Sequence, residues 1–219
     1  MSINKSNHKC KACNGTKHVY ADGRYRRCDC VLESVRRDRC TRANVPPTAI
    51  LSGLSNLCVT AGVLPDVLRG MINQCEEPCL YRVACGRLSE RRVALVAAVL
   101  RTAIERLNYT AIRYTLDQLI EDRFADESSS EYMLRNSVVC VIEADVESAN
   151  KMVPVVLASA LQTRIGMPGF TMIVTSGQFD KLTGLYGKDL VDSVCSRFTK
   201  FYDAHRELRI SAQNKKGKR

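Results

Sequence analysis

Two stretches of this chain have almost no polar side to offer water. Ser137-Val-Val-Cys-Val-Ile142 and Phe170-Thr-Met-Ile-Val-Thr175 are nearly continuous runs of apolar, strand-forming residues. A strand with one solvated face alternates apolar and polar positions; a run without alternation is covered on both faces, as in the middle of a parallel sheet. Neither run approaches the ~18–20 residues that span a bilayer. The sequence around them supplies the covering helices. Leu80-Tyr-Arg-Val-Ala-Cys85 reads as a shorter strand. Ser89 then caps a helix over 90–107, with Val93, Val96, Val99, Leu100, Ala103, Ile104 and Leu107 on one face. Tyr109 to Tyr114 is a strand, Thr115 caps a helix over 116–124, and Asp126-Glu-Ser-Ser-Ser130 is a loop. A helix over 151–165 has Pro154 in its first turn, where proline is tolerated. Two short helices follow, near 178–186 and 189–198. The β-α-β-α-β-α-β order predicts the α/β class: a parallel sheet with helices on both faces.

The first third of the chain reads differently. Cys10-Lys-Ala-Cys13 is followed by Cys28-Asp-Cys30. Two cysteines on one turn can point at one metal, and zinc takes four such ligands in a tetrahedron. Cys13-Asn14-Gly15 supplies a tight turn. Asp22-Gly23 is a hairpin signal between Lys17-His-Val-Tyr20 and Arg24-Tyr-Arg-Arg27. Segment 1–30 has too few apolar residues for a core of its own, so a bound metal would serve as the core. These features predict a small zinc-ribbon-like module with Cys10, Cys13, Cys28 and Cys30 as ligands. His8 and His18 are alternative ligands. Cys40, Cys58, Cys85, Cys140 and Cys195 sit in apolar or helical contexts and read as packing residues. Cys75-Glu-Glu-Pro-Cys79 lacks a partner pair. The odd count of 11 cysteines and the absence of an apolar leader predict a reducing, cytoplasmic setting and no disulfide framework.

Val31 to Arg42 is polar, basic and helical in character, and Val45-Pro46-Pro47 breaks it. The predicted division is a zinc-binding module with a basic linker over 1–44, an α/β domain over 45–205 and a basic tail over 206–219. Residues 50–74 read as helices with a break near Gly62–Pro65. Charge follows this division. Residues 1–44 carry 11 Lys/Arg against 4 Asp/Glu, a net +7; residues 206–219 carry 6 against 1, a net +5; the middle holds 16 against 18. Basic charge at both ends of a nearly neutral domain suits a polyanionic partner. Arg24, Arg26 and Arg27 in the hairpin, and Lys215, Lys216, Lys218 and Arg219 in the tail, are the candidate nucleic-acid contacts. For the tail the other reading is a solubilising segment. Tyr20 and Tyr25 either stack on bases or pack against the metal site.

With these residues in view, the chain resembles the bacterial and phage replicative helicase loaders of the DnaC/DnaI type, within the AAA+ group. The resemblance rests on the cysteine knuckle, the basic linker ending in Val45-Pro46-Pro47 and the order of elements after it. It implies an AAA+-like P-loop sheet, a replicative helicase as partner and possible contact with single-stranded DNA. Gly86 falls where such a family has its phosphate loop, Val138 to Glu143 where it has its metal-binding acidic strand, and Thr175-Ser176 where it has a polar sensor. Ser196-Arg197-Phe198 resembles the segment whose arginine reaches a neighbouring subunit's nucleotide. The phosphate loop itself is degraded. Gly86-Arg-Leu-Ser-Glu-Arg-Arg-Val93 keeps one glycine, places Arg91-Arg92 where Gly-Lys is expected and puts Val93 in the position of the magnesium-binding hydroxyl. Arg92 remains able to hold a phosphate as a point charge. The acidic strand ends Glu143-Ala144-Asp145, with its second carboxylate missing or shifted, and Gly177 replaces the sensor asparagine. Phosphoryl transfer needs all of these parts together.

Three functions follow as expectations. The first is a helicase-loader-like adaptor that binds its helicase through the zinc module and hydrolyses little or no ATP. The second is a zinc-containing nucleic-acid-binding protein. The third is an atypical but active AAA+ ATPase. No Ser/His/Asp, Cys/His or paired-carboxylate arrangement suggests other catalysis, and His205 lies in a basic stretch expected to be helical and solvated.

Overall fold

The computed structural model describes residues 10–85, 89–125, 129–145, 152–176, 192 and 197–203. The chain divides into two compact units, Met1–Arg39 and Cys40–Arg219. In the first, strands β1 (His18–Ala21) and β2 (Arg24–Arg27) form an antiparallel hairpin. Its turn is Asp22-Gly23, both residues at positive φ (53° and 77°), as a type I′ turn demands. Helix α1 (Asp29–Arg42) begins directly after it. Glu33 bonds Arg36 and Arg37 along its surface, and Arg36 first holds the Glu33 carboxyl down to about 2.

In the second unit, short helices α2 (Pro47–Ile50), α3 (Leu54–Ala61) and α4 (Pro65–Asn73) precede the sheet. Cys40, Ala43 and Val45 are buried in the same core as these helices, so the Val45-Pro46-Pro47 break falls within this unit. Gly62 ends α3 at φ 72°, and Pro65 opens α4. Among the described residues the sheet has five parallel strands in the order β4-β5-β6-β3-β7: β3 (Pro78–Ala84), β4 (Ala111–Thr115), β5 (Val139–Glu143), β6 (Gly169–Thr175) and β7 (Lys200–Asp203). Four of these are the expected strands. The fifth, β7, lies beside β3, just after the helix expected near 189–198, where the sequence reading placed no strand.

The strands are buried on both faces, which is why they do not alternate. Tyr81, Val83, Val139, Val141, Phe170, Met172 and Val174 pack on the side of α3, α4 and α5 (Glu90–Arg101). Leu80, Ile112, Cys140, Ile142 and Ile173 pack on the side of α6 (Leu116–Phe124), α7 (Ser129–Asn136) and α8 (Val153–Ile165). Ser89 and Thr115 cap α5 and α6 as expected, Thr115 in a full capping box with Gln118. Two expectations change. The loop at 126–130 gives way to α7 from Ser129, and the helix over 90–107 becomes α5 followed by a π turn over Thr102–Arg106. The π turn follows a side chain tied to carbonyls far back in the chain. Buried Arg101 donates to the carbonyls of Ala49 and Ser52 and pairs with Glu105 at 2.5 Å, while Leu107 N–H reaches back to Thr102 at 3.2 Å. The helices expected near 178–186 and 189–198 and the residue His205 fall outside the described residues, apart from Asp192, Arg197 and Phe198.

Candidate functional sites: a four-cysteine cluster and an arginine-filled crevice

The Sγ atoms of Cys10, Cys13, Cys28 and Cys30 all lie within 4.8 Å of one another, Cys10 to Cys28 at 3.8 Å and Cys13 to Cys30 at 3.6 Å. Bonds of ~2.3 Å to a central zinc would set tetrahedral sulfurs about 3.8 Å apart. The four residues therefore fit a metal ion. Local backbone explains how they meet. Asn14, Gly15 and Lys17 all take positive φ, curling the chain after Cys13. Thr16 Oγ1 donates to Cys13 O at 2.6 Å, and Cys28 N–H donates to Lys17 O at 2.9 Å, pulling the second pair under the first. The backbone N–H groups of Cys13 and then Ala12 draw the Cys10 thiol down to about 7. Its neighbours, Cys28 first, push Cys30 up to about 12. Four sulfurs this close cannot all ionise without a cation among them. His18 is not in the cluster; its Nδ1 lies 3.2 Å from Thr16 O. His8 lies outside the described residues. Cys75 and Cys79 point to separate carbonyls, of Met71 and Glu77, and join no metal cluster among the described residues.

The second site is at the C-terminal ends of β5 and β6, where open α/β sheets bind ligands in the crevice at a topological switch. Here β3 leads to α5 on one face while β5 leads to α8 on the other. Arg92, in the first turn of α5, is 2% exposed. Its Nε donates to Glu143 at 2.7 Å, its Nη1 to Asp145, and its Nη2 to Val174 O at 3.4 Å. Arg113 on β4 bonds the other Glu143 oxygen, and Ser176 N–H donates to Asp145 at 2.6 Å. Arg92, read from sequence as a point charge for phosphate, is thus fully committed to two carboxylates. Asp145, the shifted second acid, is aimed at the same guanidinium. A dication at Glu143 and Asp145 would have to displace it.

The other expected nucleotide residues are dispersed. Arg91 turns away to cap α3, donating to Ala61 O at 3.1 Å. Val93 is exposed. Arg197 is exposed, with Gln162 at 3.4 Å, beside buried Phe198. Gly86, Ser196 and Gly177 lie outside the described residues, as do Lys215, Lys216, Lys218 and Arg219. Arg24, Arg26 and Arg27 are exposed on the hairpin. Sequence reasoning missed the Arg113 contact, whose only signal was a charge inside an otherwise apolar strand.

A parallel sheet in this order, with helices on both faces and acids at the end of β5, defines an AAA+-like α/β fold. No family model and no curated protein matches the sequence; the likeness is one of structure. The crystal structure of the DnaC helicase loader matches with a TM-score of 0.51 at 16% identity, over 64% of this chain and 85% of that one. The crystal structure of DnaI matches with a TM-score of 0.52 at 13% identity, over 72% and 92%. The fold is therefore that of the DnaC/DnaI loaders. Among the described residues no helix is long and apolar enough to cross a membrane.

Proposed function

We propose that this chain is a helicase-loader-like adaptor in DNA replication, held to a replicative helicase by a zinc-bound N-terminal module and working without ATP hydrolysis. The observation that carries the reading is the ion-pair cluster of Arg92, Glu143 and Asp145. A hydrolase of this fold needs its acids free for magnesium and a basic residue free for the γ-phosphate. In this chain each neutralises the other, which supports a domain held in one state and used as a scaffold. The module suits a fixed handle, because metal energy on the order of 10 kcal/mol can fold so small a segment. Leu32 and Val35, one turn apart on α1, are exposed and offer an apolar strip to a protein partner.

The test is capture of the cognate replicative helicase by the full chain, with and without a zinc chelator, beside calorimetry with ATP and magnesium. Helicase capture that the chelator abolishes, with no magnesium-dependent ATP binding, is the expected pair of results. Micromolar, magnesium-dependent ATP binding would return the active ATPase to first place. Capture that survives removal of the metal would reject the module as the handle.

A further inference from the structure

The hairpin carries an exposed surface that neither the metal cluster nor the crevice uses. Residues paired directly across an antiparallel ladder share a face, as do residues two apart on one strand. The register pairs His18 with Arg27 and Tyr20 with Tyr25, so these four lie on one face. Val19, Ala21, Arg24 and Arg26 lie on the other. The second face is the inner one, since Val19 and Ala21 are partly covered. On the outer face all four residues are exposed, Tyr20 by 66% and Tyr25 by 80%. The two rings meet edge to face, with centroids 5.1 Å apart and planes at 64°.

We infer that this outer face is a stacking platform for single-stranded DNA. Two tyrosines left open to water present wide apolar surface with a fixed geometry, and bases stack on such rings without sequence preference. The charge fits the same ligand: from residue 17 to residue 27, Lys17, Arg24, Arg26 and Arg27 face only Asp22, a net +3. Arg27 flanks the rings on their own face, placed to meet the phosphate of a base stacked on Tyr25. In a duplex the bases are already stacked on each other, so the rings select single strands. The choice of DNA over RNA rests on the loader reading; the platform itself does not.

The experiment uses the full, zinc-loaded chain and the fluorescence anisotropy of labelled oligo(dT). Tyr20→Ala/Tyr25→Ala should weaken binding at least about tenfold with zinc content unchanged, given the cost of removing a stacking ring. Tyr20→Phe/Tyr25→Phe keeps the rings and should bind as the parent does. Arg27→Ala should lower the slope of log affinity against log salt by about 0.7. Duplex DNA should compete poorly. Unchanged oligo(dT) affinity in the alanine pair overturns the inference, as does equal competition by duplex or binding of oligo(U) alone. Loss of helicase capture with oligo(dT) binding intact would make the face a protein surface instead. A chain that grips oligo(dT) through these rings yet captures no helicase would keep the platform and reject the loader reading.

Discussion

Arg92→Ala should unfold this domain more easily and at the same time give it an appetite for magnesium. The side chain of Arg92 is 3% exposed, and those of Glu143 and Asp145 are 15% and 9% exposed. Removing one partner of a buried ion pair typically costs 3–5 kcal/mol, because the remaining charge is stranded. Two contacts survive the change: Arg113 still bonds Glu143, and Ser176 N–H still donates to Asp145. The loss therefore belongs at the lower end, about 3 kcal/mol, a large share of the 5–15 kcal/mol typical of a domain. Urea unfolding followed by circular dichroism reads this as a midpoint about 1 M lower, for a slope of 2–3 kcal/mol/M. The stranded carboxylates then form an open acidic pair. Magnesium at ten times its dissociation constant should restore about 1.4 kcal/mol to the variant and nothing to the parent, whose acids are filled. A loss below about 1 kcal/mol, or equal stabilisation of both proteins by magnesium, would refute the claim that the guanidinium occupies a cation's place.

Elemental analysis should find one zinc per chain, and Cys28→Ser/Cys30→Ser should lose it. Since Cys30 sits near 12 without metal, zinc must displace protons; release to a chromogenic chelator should grow as pH falls and vanish as it rises. Arg164 is 1% exposed and donates to the carbonyls of Leu134, Ser137 and Val138 and to Thr171 Oγ1. Arg164→Leu takes the guanidinium donor from the buried carbonyls of Leu134 and Ser137, while Val138 O keeps Phe170 N–H at 2.9 Å, so thermal unfolding should report a loss of at least about 2–3 kcal/mol. Gly169 has φ 138°, and a Cβ there would lie 2.4 Å from Val138 O. Gly169→Ala should cost about 1–3 kcal/mol in strain alone and loosen the start of β6; a variant as stable as the parent in the same melt would contradict the geometry.

What was legible in the sequence was what short-range physics dictates. The apolar runs at 137–142 and 170–175, the caps Ser89 and Thr115 and the hairpin turn Asp22-Gly23 each depend on neighbours a few residues away. The cysteine pairs belong to the same class, since their spacing already places two sulfurs on one turn. The rest depended on partners far along the chain. Lys200–Asp203 becomes a strand because β3 offers it a free edge, which its own composition does not announce. The π turn after Arg101 answers to carbonyls at 49 and 52. Arg92 looked like a phosphate ligand because its position in the loop was visible, while its two carboxylates lie more than fifty residues away. A degraded motif shows which parts are gone; only the fold shows what took their place.

One small contact has a consequence for how copies of this chain meet. Among the described residues β4 is an edge strand, and in a parallel ladder the N–H and C=O of one residue point to the same side. Arg113 turns both outward, and both are taken: its N–H donates to Ala43 O at 3.0 Å, and its carbonyl accepts from Asn44 Nδ2 at 3.0 Å. Asn44 reaches this position through a left-handed backbone, φ 56°. The segment before Pro46 thus works as a stopper on an open zipper. A second molecule cannot extend the sheet past β4 without first prying Asn44 away. An exposed strand edge is a template for aggregation, so damage at Asn44 would surface as clumping of an otherwise well-folded protein.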